Sequence, residues 1–109
     1  MSDIQELTAA IRQFTEERDW DQFHNPKDLA VALSIEASEL LEAFLWKTPE
    51  EAKVEKVREE LADVINYALL IADKYHFDVK QIVMDKLARN AEKYPVEKAR
   101  GTAKKYNEL

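Results

Sequence analysis

Only one glycine occurs in the chain, Gly101, and only three prolines. Tight turns draw on these residues for backbone conformations that others reach at a cost, and an all-β fold needs many such turns. Their scarcity points to long helices joined by short connections. The chain has 109 residues, the size of one domain, and we read 1–109 as a single domain. A chain of this length buries a modest share of its surface, so association into an oligomer is expected to enlarge the core.

Helical periodicity and caps divide the chain into four segments. Ser2 with Gln5 reads as a capping box, and Ile4, Leu7, Ile11 and Phe14 recur at helical spacing to about Arg18. Asp19 to His24 loses that period and reads as a loop carrying Trp20 and Phe23. Asn25-Pro26 starts a second helix, with Leu29, Leu33, Leu40 and Phe44, ending near Trp46. Thr48-Pro49-Glu50-Glu51 repeats that start logic, predicting a long third helix from Pro49 to Tyr75 with Val54, Val57, Leu61, Val64, Ala68 and Ile71 on one face. Asp78 with Gln81 opens a fourth, including Ile82, Met84, Leu87 and Ala91, which Pro95 stops by Tyr94. The tail from Val96 to Leu109 is basic and polar. The expected fold is all-α, a four-helix bundle.

Charge and composition exclude several classes. A formal net charge of −6 disfavours nucleic acid and anionic membranes as partners, although a metal can still bring a phosphorylated small molecule to an acidic site. With no cysteine there is no disulfide, thiolate metal site or cysteine nucleophile. The N-terminus does not resemble a signal peptide, and no apolar run is long enough to span a bilayer, so a cytoplasmic location is expected.

Two acid pairs carry the chemistry. Glu36 and Glu39 are three apart on the second helix, and Glu60 and Asp63 are three apart on the third. The spacing alone says little, since acid-rich surface helices produce such pairs by chance. The helix wheel says more. At about 100° per residue, Glu36 falls among Leu29, Ala32, Leu40 and Ala43, and Glu60 among Val57, Val64, Tyr67 and Ile71. Glu39 and Asp63 flank these apolar arcs. An ionised carboxylate facing a core is unfavourable unless it is paired or bound to a cation. If the helices are adjacent, four carboxylates converge, and a hard cation such as magnesium relieves the repulsion. The bland alternative is a solvated face, or pairing with Lys53, Lys56 or Arg58. A di-iron bundle would want two Glu-x-x-His elements, and only Asp73-x-x-His76 approximates one.

The sequence Glu36-Ala-Ser-Glu39, twenty residues, then Glu60-Leu-Ala-Asp63 resembles the ExxE…ExxD signature of the MazG-like, all-α nucleoside triphosphate pyrophosphohydrolases. The segments Glu17 to Trp20, Gln22-Phe23-His24, Leu45-Trp46-Lys47, Tyr94-Pro95-Val96, Arg100-Gly101 and Lys105-Tyr106 are similar to its dCTP pyrophosphatase branch. The resemblance implies magnesium held by Glu36, Glu39, Glu60 and Asp63, with Glu36 or Glu39 as the catalytic base. It implies hydrolysis between the α- and β-phosphates in a nucleotide-cleansing role. It implies a homotetramer built as a dimer of dimers. It further implies a base pocket using Trp20, His24 and Trp46, Tyr67 near sugar and base, and Lys86, Asn90, Lys93 and Tyr94 toward the phosphates. Where dCTP-preferring relatives carry a histidine on the first helix, this chain has Ile11, so dUTP or another nucleotide stays open as substrate. The rival from a different class is a non-enzymatic acidic helical interaction module.

Overall fold

The computed structural model describes residues Met1–Leu109, and every regular element in it is helical. The chain divides into two compact units, Met1–His76 and Phe77–Leu109.

The first unit holds three helices, α1 (Asp3–Glu17), α2 (Pro26–Glu42) and α3 (Val54–Lys74). Their starts follow the sequence logic. The Ser2 hydroxyl accepts from the Gln5 N–H while the Gln5 side chain accepts from the Ser2 N–H. Asn25 caps α2 by accepting from the Asp28 N–H at 2.9 Å, with Pro26 in the first turn. Helix α2 packs along α3, and α1 packs on α3. The buried apolar residues are few: Leu29 and Ala43 from the α2 segment, and Leu69, Leu70 and Ala72 from α3. Two long-range ion pairs fasten the end of α3. Arg12 of α1 donates from Nε and Nη2 to Asp73, and its guanidinium holds the Asp73 carboxyl below the usual carboxylate range. Lys74 pairs with Asp21 in the connection after α1.

Three expectations are corrected. Helix α3 begins at Val54, not Pro49, because Pro49–Glu51 closes as a separate 3-10 turn. There the Thr48 N–H donates to the Glu51 carboxylate, and Ala52 and Lys53 then run extended. Helix α2 ends at Glu42 rather than near Trp46, and turns carry the chain from Ala43 to Trp46. The apolar registers of α1 and α3 also shift. On α1 the inward stripe is Ile4, Thr8, Ile11 and Thr15, so Leu7 and Phe14 stay about half exposed. A 3.6-residue period accommodates either register, and the sequence does not separate them. On α3, Val54, Leu61 and Ala68 face outward, while Val57, Glu60, Val64, Tyr67 and Ile71 turn inward.

The second unit contains α4 (Val79–Lys93), α5 (Val96–Ala99) and a 3-10 turn at Tyr106–Glu108. Asp78 caps α4 through the Gln81 N–H at 2.9 Å. The tail thus carries short helical turns where the sequence suggests only polar chain. Tyr94 and Tyr106 meet edge to face with centroids 6.2 Å apart.

Candidate active site

Glu36 sits on the α2 face that carries Leu29, Leu33 and Leu40, and Glu60 sits on the inward face of α3. Because α2 and α3 pack along each other, both carboxylates arrive at one seam. Glu60 is only 7% exposed, and Glu36 is half-buried. Glu36, Glu60 and Asp63 each bring one oxygen within 4.8 Å of the other two. Asp63, one turn beyond Glu60, is exposed and keeps that side of the cluster open to solvent.

Glu39 adjoins this trio without belonging to it. Hydrogen bonding with Glu36, reinforced by the Glu36 charge and by Glu60, pushes its carboxyl up to about 7. Like charges held this close cannot all ionise freely. Glu60 moves the other way, because Lys56 Nζ lies 2.7 Å from its Oε1 and holds the carboxyl low. Pairing with Lys56, offered by the sequence as the bland alternative, therefore does occur for one oxygen of one acid. Tyr67, one turn after Asp63, faces the same group. Burial, then the charges of Glu36, Asp63 and Glu39, raise its hydroxyl and keep it a protonated phenol.

The cluster leaves two atoms unsatisfied. Glu36 Oε2 and Glu60 Oε2 are buried with no hydrogen-bond partner. Buried acceptors without donors are costly, and buried acids without counter-charge more so. An oxygen-only donor set of three carboxylates is the kind that suits a hard divalent cation such as magnesium, and it lacks the imidazole and thiolate ligands that softer metals favour. The arrangement can therefore hold a metal and, through it, phosphate oxygens.

The remaining sequence candidates fall elsewhere in the two units. Trp20 follows α1 and packs edge to face on Phe14 with ring centroids 5.7 Å apart, and the residue stays 44% exposed. His24 closes the next 3-10 turn with its Nδ1 buried and unpartnered. Trp46 adopts a left-handed conformation, φ 61°, in the turn after α2, and is 93% exposed. A bulky residue held at positive φ is strained. Trp46 does not cap the core; the turn displays it. In the second unit, Lys86 and Asn90 share one face of α4 with Ile82, Val83 and Leu87, around a groove of about 380 Å³. Lys93 and Tyr94, at the end of α4, both meet Tyr106, with the Lys93 ammonium 5.0 Å from its ring centroid. The acids and Tyr67 are thus one constellation, and Lys86 with Asn90 is another. Sequence reasoning underrated Lys56. Its i, i+4 spacing to Glu60 is legible, but its importance depends on the burial of Glu60, which only packing reveals.

Fold and site together define an all-helical protein that offers a seam of carboxylates to a hard cation. Residues 31–109 match the MazG-like family, and the chain belongs to that family. It is 39% identical over 117 residues to dCTP pyrophosphatase 1 of Mus musculus, an alignment spanning 100% of this chain and 67% of the relative. The Homo sapiens dCTP pyrophosphatase 1 is 38% identical over the same shares. Among solved structures, a pyrophosphatase from Archaeoglobus fulgidus superposes with a TM-score of 0.80 at 36% identity, covering 87% of this chain and 94% of its own.

Proposed function

We propose that this chain is a magnesium-dependent hydrolase that cleaves a deoxynucleoside triphosphate, dCTP or a modified dCTP, into monophosphate and pyrophosphate. The class follows from the family: with dCTP pyrophosphatases and a pyrophosphatase as relatives, the chain is a nucleoside triphosphate pyrophosphatase. The observation that carries the proposal is the meeting of Glu36, Glu60 and Asp63 at one partly buried seam.

The chemistry asks for charge neutralisation and positioning more than covalent catalysis. Glu36, Glu60 and Asp63 would hold magnesium, with Glu39 beside them. When bound, magnesium neutralises phosphate charge and makes a nearby water more acidic. Water oxygen then joins phosphorus, the bond to the α–β bridging oxygen breaks, and pyrophosphate leaves. The water's proton goes to a carboxylate, and Glu39, adjoining the trio without being part of it, is the better placed of Glu36 and Glu39. Trp20, His24 and Trp46 form the base pocket in this reading, with Tyr67 near sugar and base. The exposure of both indole rings suits stacking, worth about 1–3 kcal/mol per base by analogy with single-strand binding. Lys86, Asn90, Lys93 and Tyr94 supply donors toward the phosphates.

Residues 1–109 act as one such domain in this account, supported by relatives that align over the whole chain. Assembly into a homotetramer, as a dimer of dimers, would cover exposed apolar side chains such as Val31, Ile35 and Leu41. No helix is long and apolar enough to cross a membrane, and we place the activity in the cytoplasm, on free nucleotides rather than nucleic acid.

A panel of triphosphates, assayed separately for pyrophosphate and for phosphate with and without magnesium, tests the proposal. We expect pyrophosphate only, only with magnesium, and dCTP or a modified dCTP ahead of dUTP and dTTP by at least about tenfold. Phosphate as the product would overturn the bond assignment. A lead for dUTP would overturn the base assignment. No turnover, with no nucleotide effect on melting, would favour a non-enzymatic interaction module.

A further inference from the structure

We propose that Lys56 is the resident counter-cation of the carboxylate site: its ammonium holds Glu60 in the metal-free protein and gives that carboxylate up when a divalent cation binds. The inference rests on the reading of this site as a metal site. Lys56 stands one turn before Glu60 on α3, with Nζ 2.7 Å from Glu60 Oε1. The two partners differ in freedom. The Glu60 side chain is 9% exposed and fixed in the seam, whereas that of Lys56 is 51% exposed and able to swing into solvent. Glu60 Oε2 has no partner, so the ammonium satisfies only half of the carboxylate. Glu59 and Glu39 add negative charge around the same ammonium.

The consequence is a competition. A monovalent cation beside Glu60 lessens the repulsion among the clustered acids while no metal is present. The same charge repels an incoming divalent cation and occupies one of its ligand atoms. A merely structural i, i+4 pair would stabilise α3 equally with and without metal. A counter-cation stabilises the metal-free state more.

Lys56→Met keeps most of the stem and removes the charge, and Lys56→Arg keeps the charge. Manganese titrated calorimetrically into each variant measures affinity, and melting without metal and at saturating manganese measures stability. We expect Lys56→Met to bind manganese about threefold tighter, to melt below the parent without metal, and to approach it at saturation. Lys56→Arg should stay close to the parent throughout. Equal affinity in Lys56→Met, with the same melting deficit in both conditions, would overturn the role of Lys56 while leaving the metal site standing. Absence of manganese binding by the parent protein would overturn the metal reading, and this inference with it.

Discussion

Replacing Glu60 by glutamine should abolish magnesium-dependent pyrophosphate release while leaving the helices intact. Glutamine matches glutamate in shape, so the seam between α2 and α3 is not opened. What changes is charge and ligand quality at the most buried acid of the cluster. Loss of a group that merely supports a metal ligand costs about 10–100-fold in affinity or activity. Loss of a ligand itself should cost at least about 100-fold. Stability should not fall in parallel. Glu60 is a buried anion with one oxygen unpartnered and two further acids within reach, so a neutral isostere removes repulsion as well as the Lys56 pair. Circular dichroism and thermal melting should therefore match the parent while turnover is lost. Turnover within about threefold of the parent would remove Glu60 from the site; the same outcome would leave the family membership untouched.

The second large effect concerns stability alone. Leu29 is 1% exposed and is the largest fully buried side chain in the protein. Leu29→Ala should cost about 2–5 kcal/mol, the range for deleting a buried leucine when its surroundings relax only in part. Leu29→Met keeps the volume and should cost less than about 1.5 kcal/mol. Denaturant titration of the three proteins at one concentration separates these values. Because so few apolar residues are fully buried, this site should dominate more than it would in a larger core. A Leu29→Ala loss below about 1 kcal/mol would mean that the core lies elsewhere.

The residues explain why some features were legible in the sequence and others were not. Caps are local chemistry, so Ser2, Asn25 and Asp78 announced the starts of α1, α2 and α4 correctly. The acid pairs were legible because a wheel argument needs only the 3.6-residue period, and Glu36 and Glu60 do turn inward. The register of α1 was not, because Leu7 and Thr8 both fit that period, as do Phe14 and Thr15, and the packing against α3 decides between them. The break between Pro49–Glu51 and Val54 escaped because Thr48 and Glu51 close a 3-10 turn as readily as they begin a helix. The display of Trp46 depends on a positive φ that no sequence pattern demanded. On α4, the Asp78 cap and the stop before Pro95 placed the element, but Ile82, Met84 and Leu87 remain about half exposed, and nothing local says what covers them.

The division among the acids was also beyond the sequence. The helix wheel separates Glu36 and Glu60, within the apolar arcs, from Glu39 and Asp63 at their edges, but it does not say which of the four meet. In three dimensions Glu36, Glu60 and Asp63 form the trio, Glu39 stands beside them, and Lys56 engages Glu60 alone. These differences arise from depth in the seam and from a single basic neighbour.

If the seam is a metal site, Glu36, Glu60 and Asp63 hold one divalent cation jointly. Crystals soaked in manganese, with anomalous scattering collected at its absorption edge, test it directly. One anomalous peak is expected at the α2–α3 seam, within about 2.2 Å of oxygens from Glu36, Glu60 and Asp63. A peak bound elsewhere, or an empty seam with the three side chains turned away from one another at saturating manganese, would contradict it.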